Sequence, residues 1–237
     1  MGRRDLSDRT AWDDCHGAVA YTADAAALAG EDGDKAVGAL AHAAEKLLVR
    51  WEALDTDRRA KRRGVGKSHA LVRRRDVQCD TAATDLHNDT LGHARQDRGS
   101  ALFTRLFPST LSVVVRMSLE SELPVLRTLA HKLAEEETPA ALKKAHTKAL
   151  GEVIENGEIA IRGREEAFAA AGRVSAKIAS WREDANAVLL GIEGALKQIA
   201  AERKLGTEWV DTFFPTAERG KKGKKDKKAK EPDAAPL

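Results

Sequence analysis

Two stretches of this chain place apolar residues in alternating steps of three and four. The first is Val37, Leu40, Ala44, Leu47, Trp51 and Leu54; the second is Ile178, Trp181, Ala185, Val188, Ile192, Ala195 and Ile199. That spacing returns side chains to one side of an α-helix, whereas on a strand it would scatter them over both faces. Each stretch is therefore a helix with one buried stripe. A free coiled coil and a helical bundle share this spacing, and the short length of the first seam favours a bundle.

Start and stop signals divide the rest into further helices. Ser7 caps a first helix, Asp8 to Leu28, with a weak seam of Trp12, Cys15, Val19 and Ala26. A second helix runs from Asp34 to about Arg62. Arg63-Gly64-Val65-Gly66-Lys67 reads as a turn, after which Ser68 caps a third helix to about Asp97 through Val72, Cys79 and Leu86. The adjacent valines of Leu111 to Met117 favour extended backbone, and a shorter helix follows from Ser121 to Glu136 with Pro124 expected in its first turn. Thr138-Pro139 opens a helix to about Ala171. Gly151, Gly157 and Gly163 weaken that helix unless a close partner needs their missing side chains. Past Gly172, Ser175 caps the last long helix.

One segment occurs twice. Gly99–Pro108 reads GSALFTRLFP and Gly206–Pro215 reads GTEWVDTFFP, 107 residues later, and the two hold four of the five phenylalanines. Ser68 and Ser175 share the same 107-residue offset. Turn, second helix and terminal segment thus align in one register, which predicts a tandem duplication. The resulting expectation is an all-α protein: a bundle of long antiparallel helices made of two duplicated helical hairpins plus accessory helices. Its expected divisions are a helix or arm over 1–30, a bundle over 31–216 with pseudo-repeats at about 34–108 and 138–215, and a disordered lysine-rich tail over 217–237. In both copies glycine should end a helix, Ser100 or Thr207 should cap a short turn, and the phenylalanines should plug the bundle.

Charge is unevenly placed. The net value is only +3, but Arg58 to Arg75 contains nine basic residues and no acidic one. The tail adds Lys221, Lys222, Lys224, Lys225, Lys227, Lys228 and Lys230. What remains is an acidic body with two basic extremities, a pattern suited to polyanion or acidic-partner contact. Cys15 and Cys79 lie far apart with no CxxC context and fit a reducing compartment. With no signal-peptide core or long apolar run, the expectation is a cytoplasmic protein without membrane contact.

Candidate chemistry is sparse. GVGKS at Gly64 to Ser68 matches the end of a phosphate-binding loop, but Lys61 stands where that motif needs glycine and no apolar strand precedes it. A helix turn explains it better, and no cofactor is expected. Asp85, Asp89 and His93 stack along one helical face as weak metal candidates, yet none of the histidines has the Glu-x-x-His spacing of ferritin-like sites. Cys15, Cys79 and the tryptophans lie on seams and read as core.

The basic block Arg58, Arg59, Lys61, Arg62, Arg63, Lys67, Arg73, Arg74 and Arg75, centred on the expected hairpin tip, reads with the tail lysines as a polyanion-binding surface. No aromatics are interleaved for base stacking. The function expected is a non-enzymatic scaffold or interaction protein, binding a protein partner or itself through helical faces. The alternatives are a nucleic-acid-associated protein without sequence specificity and a metal-binding bundle.

Overall fold

The computed structural model of the chain describes residues 5–7 and 9–215. Among them there is no β-strand, and seven helices follow in order: α1 Trp12–Glu31, α2 Lys35–His93, α3 Ala101–Leu106, α4 Leu111–Val114, α5 Leu119–Ala134, α6 Ala140–Glu202 and α7 Thr207–Asp211. The protein is all-α. The expected tail, residues 217–237, lies outside the described residues.

Several expected boundaries are corrected. The turn at Arg63–Lys67 does not exist: α2 runs through Gly64 and Gly66 for 59 residues. Likewise α6 runs through Gly172 for 63 residues. The physical reason is a continuous seam. Val37, Ala44, Trp51, Val65, Val72, Cys79 and Leu86 all fall on one seven-residue series, so packing on one side never changes phase. A glycine costs about 1 kcal/mol in a helix, which burial along a long seam offsets. Leu111 to Val114, expected as extended, forms a helical turn. The first helix begins at Trp12, after an arm in which Thr10 N donates to Ser7 O.

The chain divides into two units. One comprises residues 1–48 and 182–237; the other comprises 49–181. Both long helices contribute to both.

In the first unit, α1 and the start of α2 cross at Gly30 and Gly38. A Cβ added to Gly38 would lie 2.7 Å from the Gly30 Cα, so the two backbones touch where no larger residue fits. Gly33, at φ 100°, makes the turn between them. Asp34 starts α2: its Oδ1 accepts from Val37 N, and Arg203 past the end of α6 binds the same carboxylate. The buried core combines Trp12, Cys15 and Val19 of α1, Val37 and Leu47 of α2, Leu189, Ile192 and Leu196 of α6, and Val210, Phe213 and Phe214 at the chain's end.

In the second unit α2 and α6 run antiparallel. His69 meets the Phe168 ring edge-on at 5.3 Å, Cys79 Sγ approaches Val153 O at 3.7 Å, and His146 Nε2 bonds Asp89 Oδ2 at 2.8 Å. The core here joins Cys79, Ala83 and Leu86 to Phe103, Leu106 and Phe107 of α3, and to Leu119, Leu123, Leu126, Leu129 and Leu133 of α5. Gly157 of α6 is needed for this packing, since a Cβ there would meet Leu123 at 2.8 Å. Gly151 and Gly163 face open space.

Buried positions recur between the halves. Trp12, Cys15, Val19, Thr22 and Ala26 on α1 lie 107 residues before Leu119, Glu122, Leu126, Leu129 and Leu133, all buried on α5. Phe103, Leu106 and Phe107 correspond in the same way to Val210, Phe213 and Phe214. Cys79, Ala83, Leu86 and Thr90 lie 106 residues before Ala185, Leu189, Ile192 and Leu196. Even a carbonyl contact recurs: Tyr21 Oη of α1 donates to Thr212 O, and Lys132 Nζ of α5 donates to Arg105 O.

The glycines that open the two repeated segments do not end the long helices, as was expected of them. Those ends are made earlier by left-handed Arg95 and Gln96 and by Lys204. Gln96 N then reaches Leu91 O, and Leu205 N reaches Ala200 O. Ser100 does cap α3, accepting from Phe103 N.

Candidate polyanion-binding surface

Arg58 to Arg75 is the interior of a helix and not a hairpin tip. Continuity changes how its charges are displayed. At about 100° per residue, Arg59, Arg62, Arg63, Lys67, Arg73 and Arg74 fall within a sector of roughly 140°, extending about 22 Å along the axis. All six are exposed. Half-buried Val65, Ser68 and Val72 occupy the opposite side, which faces the seam. Lys61, though exposed, and half-buried Arg75 point outside the basic sector.

Local pairs orient part of this surface. Asp55, a buried carboxylate, takes Arg58 Nε and Nη2 on Oδ1 at 3.0 and 2.9 Å, and Arg59 Nε on Oδ2 at 2.7 Å. Lys61 Nζ lies 3.8 Å from Asp57 Oδ1. Arg75 Nη1 donates to Gln78 Oε1 at 2.7 Å. Arg59, Arg62 and Arg63 together line a shallow hollow. A phosphate there would meet several guanidinium donors, the chemistry that favours arginine for such anions.

Helix continuity removes the phosphate-loop reading of GVGKS. The Gly64 and Gly66 amides belong to a helix interior, and Ser68 Oγ donates to Val65 O at 2.8 Å instead of capping a helix. The metal candidates are also not brought together. Asp89 binds His146 across on α6, while Asp85 and His93 are exposed. No three His, Cys, Asp or Glu side chains among the described residues converge as metal ligands would. Both cysteines are free and buried. Burial, followed by the charges of Glu122, Asp76 and Asp80, pushes the Cys79 thiol up to about 12, which makes it a poor nucleophile. The tail lysines lie outside the described residues.

One group escaped the sequence reading. Glu122 on α5 is fully buried, and neither carboxyl oxygen has a hydrogen-bond partner. Burial and the nearby charges of Asp80 and Asp76 push its carboxyl up to about 8. The signal was present in the sequence. Glu122 lies on the helical stripe of Leu119, Leu126, Leu129 and Leu133, where a charge is out of place.

No helix among the described residues is long and apolar enough to cross a membrane. Comparison with protein families, with characterised proteins and with solved structures returns no match to this chain.

Proposed function

We propose that the protein is a non-enzymatic helical scaffold of the cytoplasm that holds a polyanion along the exposed basic side of α2, assisted by the lysine-rich tail. The observation that carries this reading is the unbroken helix, which lines up Arg59, Arg62, Arg63, Lys67, Arg73 and Arg74 on one exposed side. Nucleic acid is the favoured polyanion. Recognition would be of phosphates and therefore independent of sequence, since only cations are displayed and no aromatic residue alternates with them. Exposed Val77 and Phe168 in the same unit are available to a protein partner or a second copy.

The recurrence of buried positions supports a duplication older than the present chain. In this reading α1, α2 and α3 correspond to α5, α6 and α7, and each unit combines the start of one long helix with the end of the other. The repeated element is then a short helix, a long helix and a capped end, in place of the two-helix hairpin.

The test is binding to mixed-sequence DNA and RNA across a salt series. Three proteins are compared: the full chain, a chain ending at Thr216, and the full chain with Arg59, Arg62, Arg63, Arg73 and Arg74 changed to alanine. Each phosphate neutralised contributes about −0.9 to the log–log salt slope on duplex DNA. The alanine variant should therefore bind more weakly with a shallower slope, and the truncation should do the same to a lesser degree. If the full chain binds neither nucleic acid at low salt, the nucleic-acid reading fails. Sedimentation at several concentrations tests self-association.

A further inference from the structure

Glu122 is the least comfortable side chain in the second unit. It has no exposed surface, and both of its oxygens lack a partner. Asp76 and Asp80, one turn apart on α2, each add a buried oxygen that is also unpartnered. Four carboxyl oxygens from two helices thus share an interior without donors.

The surroundings offer little relief. On α2, Cys79 lies between the two aspartates and is a neutral thiol, while Arg75 is engaged with Gln78. On α5, Glu120 adds a further negative charge near Asp76. On α6, Arg164 is taken by Glu120, and Gly157 meets the apolar tips of Leu123 and Leu119. A metal ion does not fit, because no three such side chains converge. A proton needs no cavity and removes the charge at its source.

We propose that Glu122, Asp76 and Asp80 form a proton-operated catch that seats α5 on α2 while Glu122 is protonated and releases it when the proton is lost. The first unit has no such device: Cys15 stands at the position matching Glu122, with Arg182 and Asn186 at those matching Asp76 and Asp80.

The direction follows from linkage. The Glu122 carboxyl is raised from 4.5 to about 8 in the packed state, so the packed state binds the extra proton between those values. Packing is then favoured most at low pH, weakens as pH rises through that window, and stops changing above it. One proton per opening corresponds to a tenfold change in the opening constant per pH unit.

Hydrogen exchange on the full chain tests this, with rates corrected for the intrinsic effect of pH. Between about pH 5.5 and 7.5, α5 amides should lose protection roughly tenfold per pH unit and level off above about 8. The α1 amides, measured in the same samples, should not follow. Glu122→Gln should abolish the α5 dependence. Asp80→Asn, which removes one negative neighbour, should move the levelling point to lower pH. Parallel α5 profiles in the wild type and Glu122→Gln would overturn the catch. Should Glu122→Gln not fold, an unmoved levelling point in Asp80→Asn would overturn it equally.

Discussion

The two units apply one plan with opposite chemistry at matching positions. In the first, Asn186 Oδ1 accepts from Leu6 N at 2.9 Å and its Nδ2 donates to Leu6 O at 3.0 Å, while Arg182 Nη2 donates to Thr10 O at 3.0 Å. These contacts fasten the arm that leads into α1. In the second, the matching residues are Asp80 and Asp76, each left with a buried unpartnered oxygen beside Glu122. An amide carries a donor and an acceptor and can satisfy a peptide group completely. A carboxylate only accepts, so the same site on the other unit cannot be closed in that way. The first unit is thus fastened by neutral hydrogen bonds, whereas the packing of the second depends on protonation.

The largest effect expected from breaking this comparison is at the glycine crossing, which only the first unit has. Gly38→Val should destabilise by about 2 kcal/mol or more, because its side chain meets backbone that cannot yield. Chemical denaturation would show this, and a loss below half that size would mean that α1 can move aside. Next comes the arm. Asn186→Ala removes both bonds to Leu6 and should cost about 1–3 kcal/mol, with faster exchange at the Leu6 amide. Asp80→Asn, its counterpart, should instead stabilise at neutral pH, so equal signs for the two would contradict the contrast.

Smaller in size is a test of helix continuity. A Cβ at Gly64 or Gly66 meets nothing within 4 Å. Each alanine substitution should therefore raise stability by about 1 kcal/mol through helix propensity. A loss would indicate the turn that the sequence suggested. The smallest effect is at Asp34. Its carboxyl is held below the usual range chiefly by the hydrogen bond from Arg203, with burial opposing. A lowered carboxylate pKa stabilises at pH above its unfolded value and is lost on acidification. Asp34→Asn should accordingly narrow the stability gap to wild type as pH falls below about 4.

Reading the sequence located the helices because seam spacing and capping residues act locally. The recurrence was legible for the same reason: Phe107 and Phe214 end equivalent segments in one register. The glycine signals at 64–66 and 172 misled, since a local helix-breaking tendency of about 1 kcal/mol per glycine is smaller than the gain from an uninterrupted seam. Checking whether the seven-residue series from Val37 to Leu86 kept its phase would have exposed the error, because a hairpin turn has no reason to preserve it.

The basic residues themselves were read correctly as a cluster, but their display was not, because direction along a helix depends on whether the helix continues. Glu122 is the clearest case beyond the reach of local pattern. Its place on an apolar stripe could be seen in the chain, whereas Asp76 and Asp80 became its neighbours only through packing of α5 on α2. By itself, then, the sequence determined an all-helical chain with recurring seams, caps and a basic block. Tertiary structure decided that the block is a continuous helical surface and that one buried carboxyl meets two others. Seams are set by spacing along the chain, while charge display and desolvation depend on which helices meet.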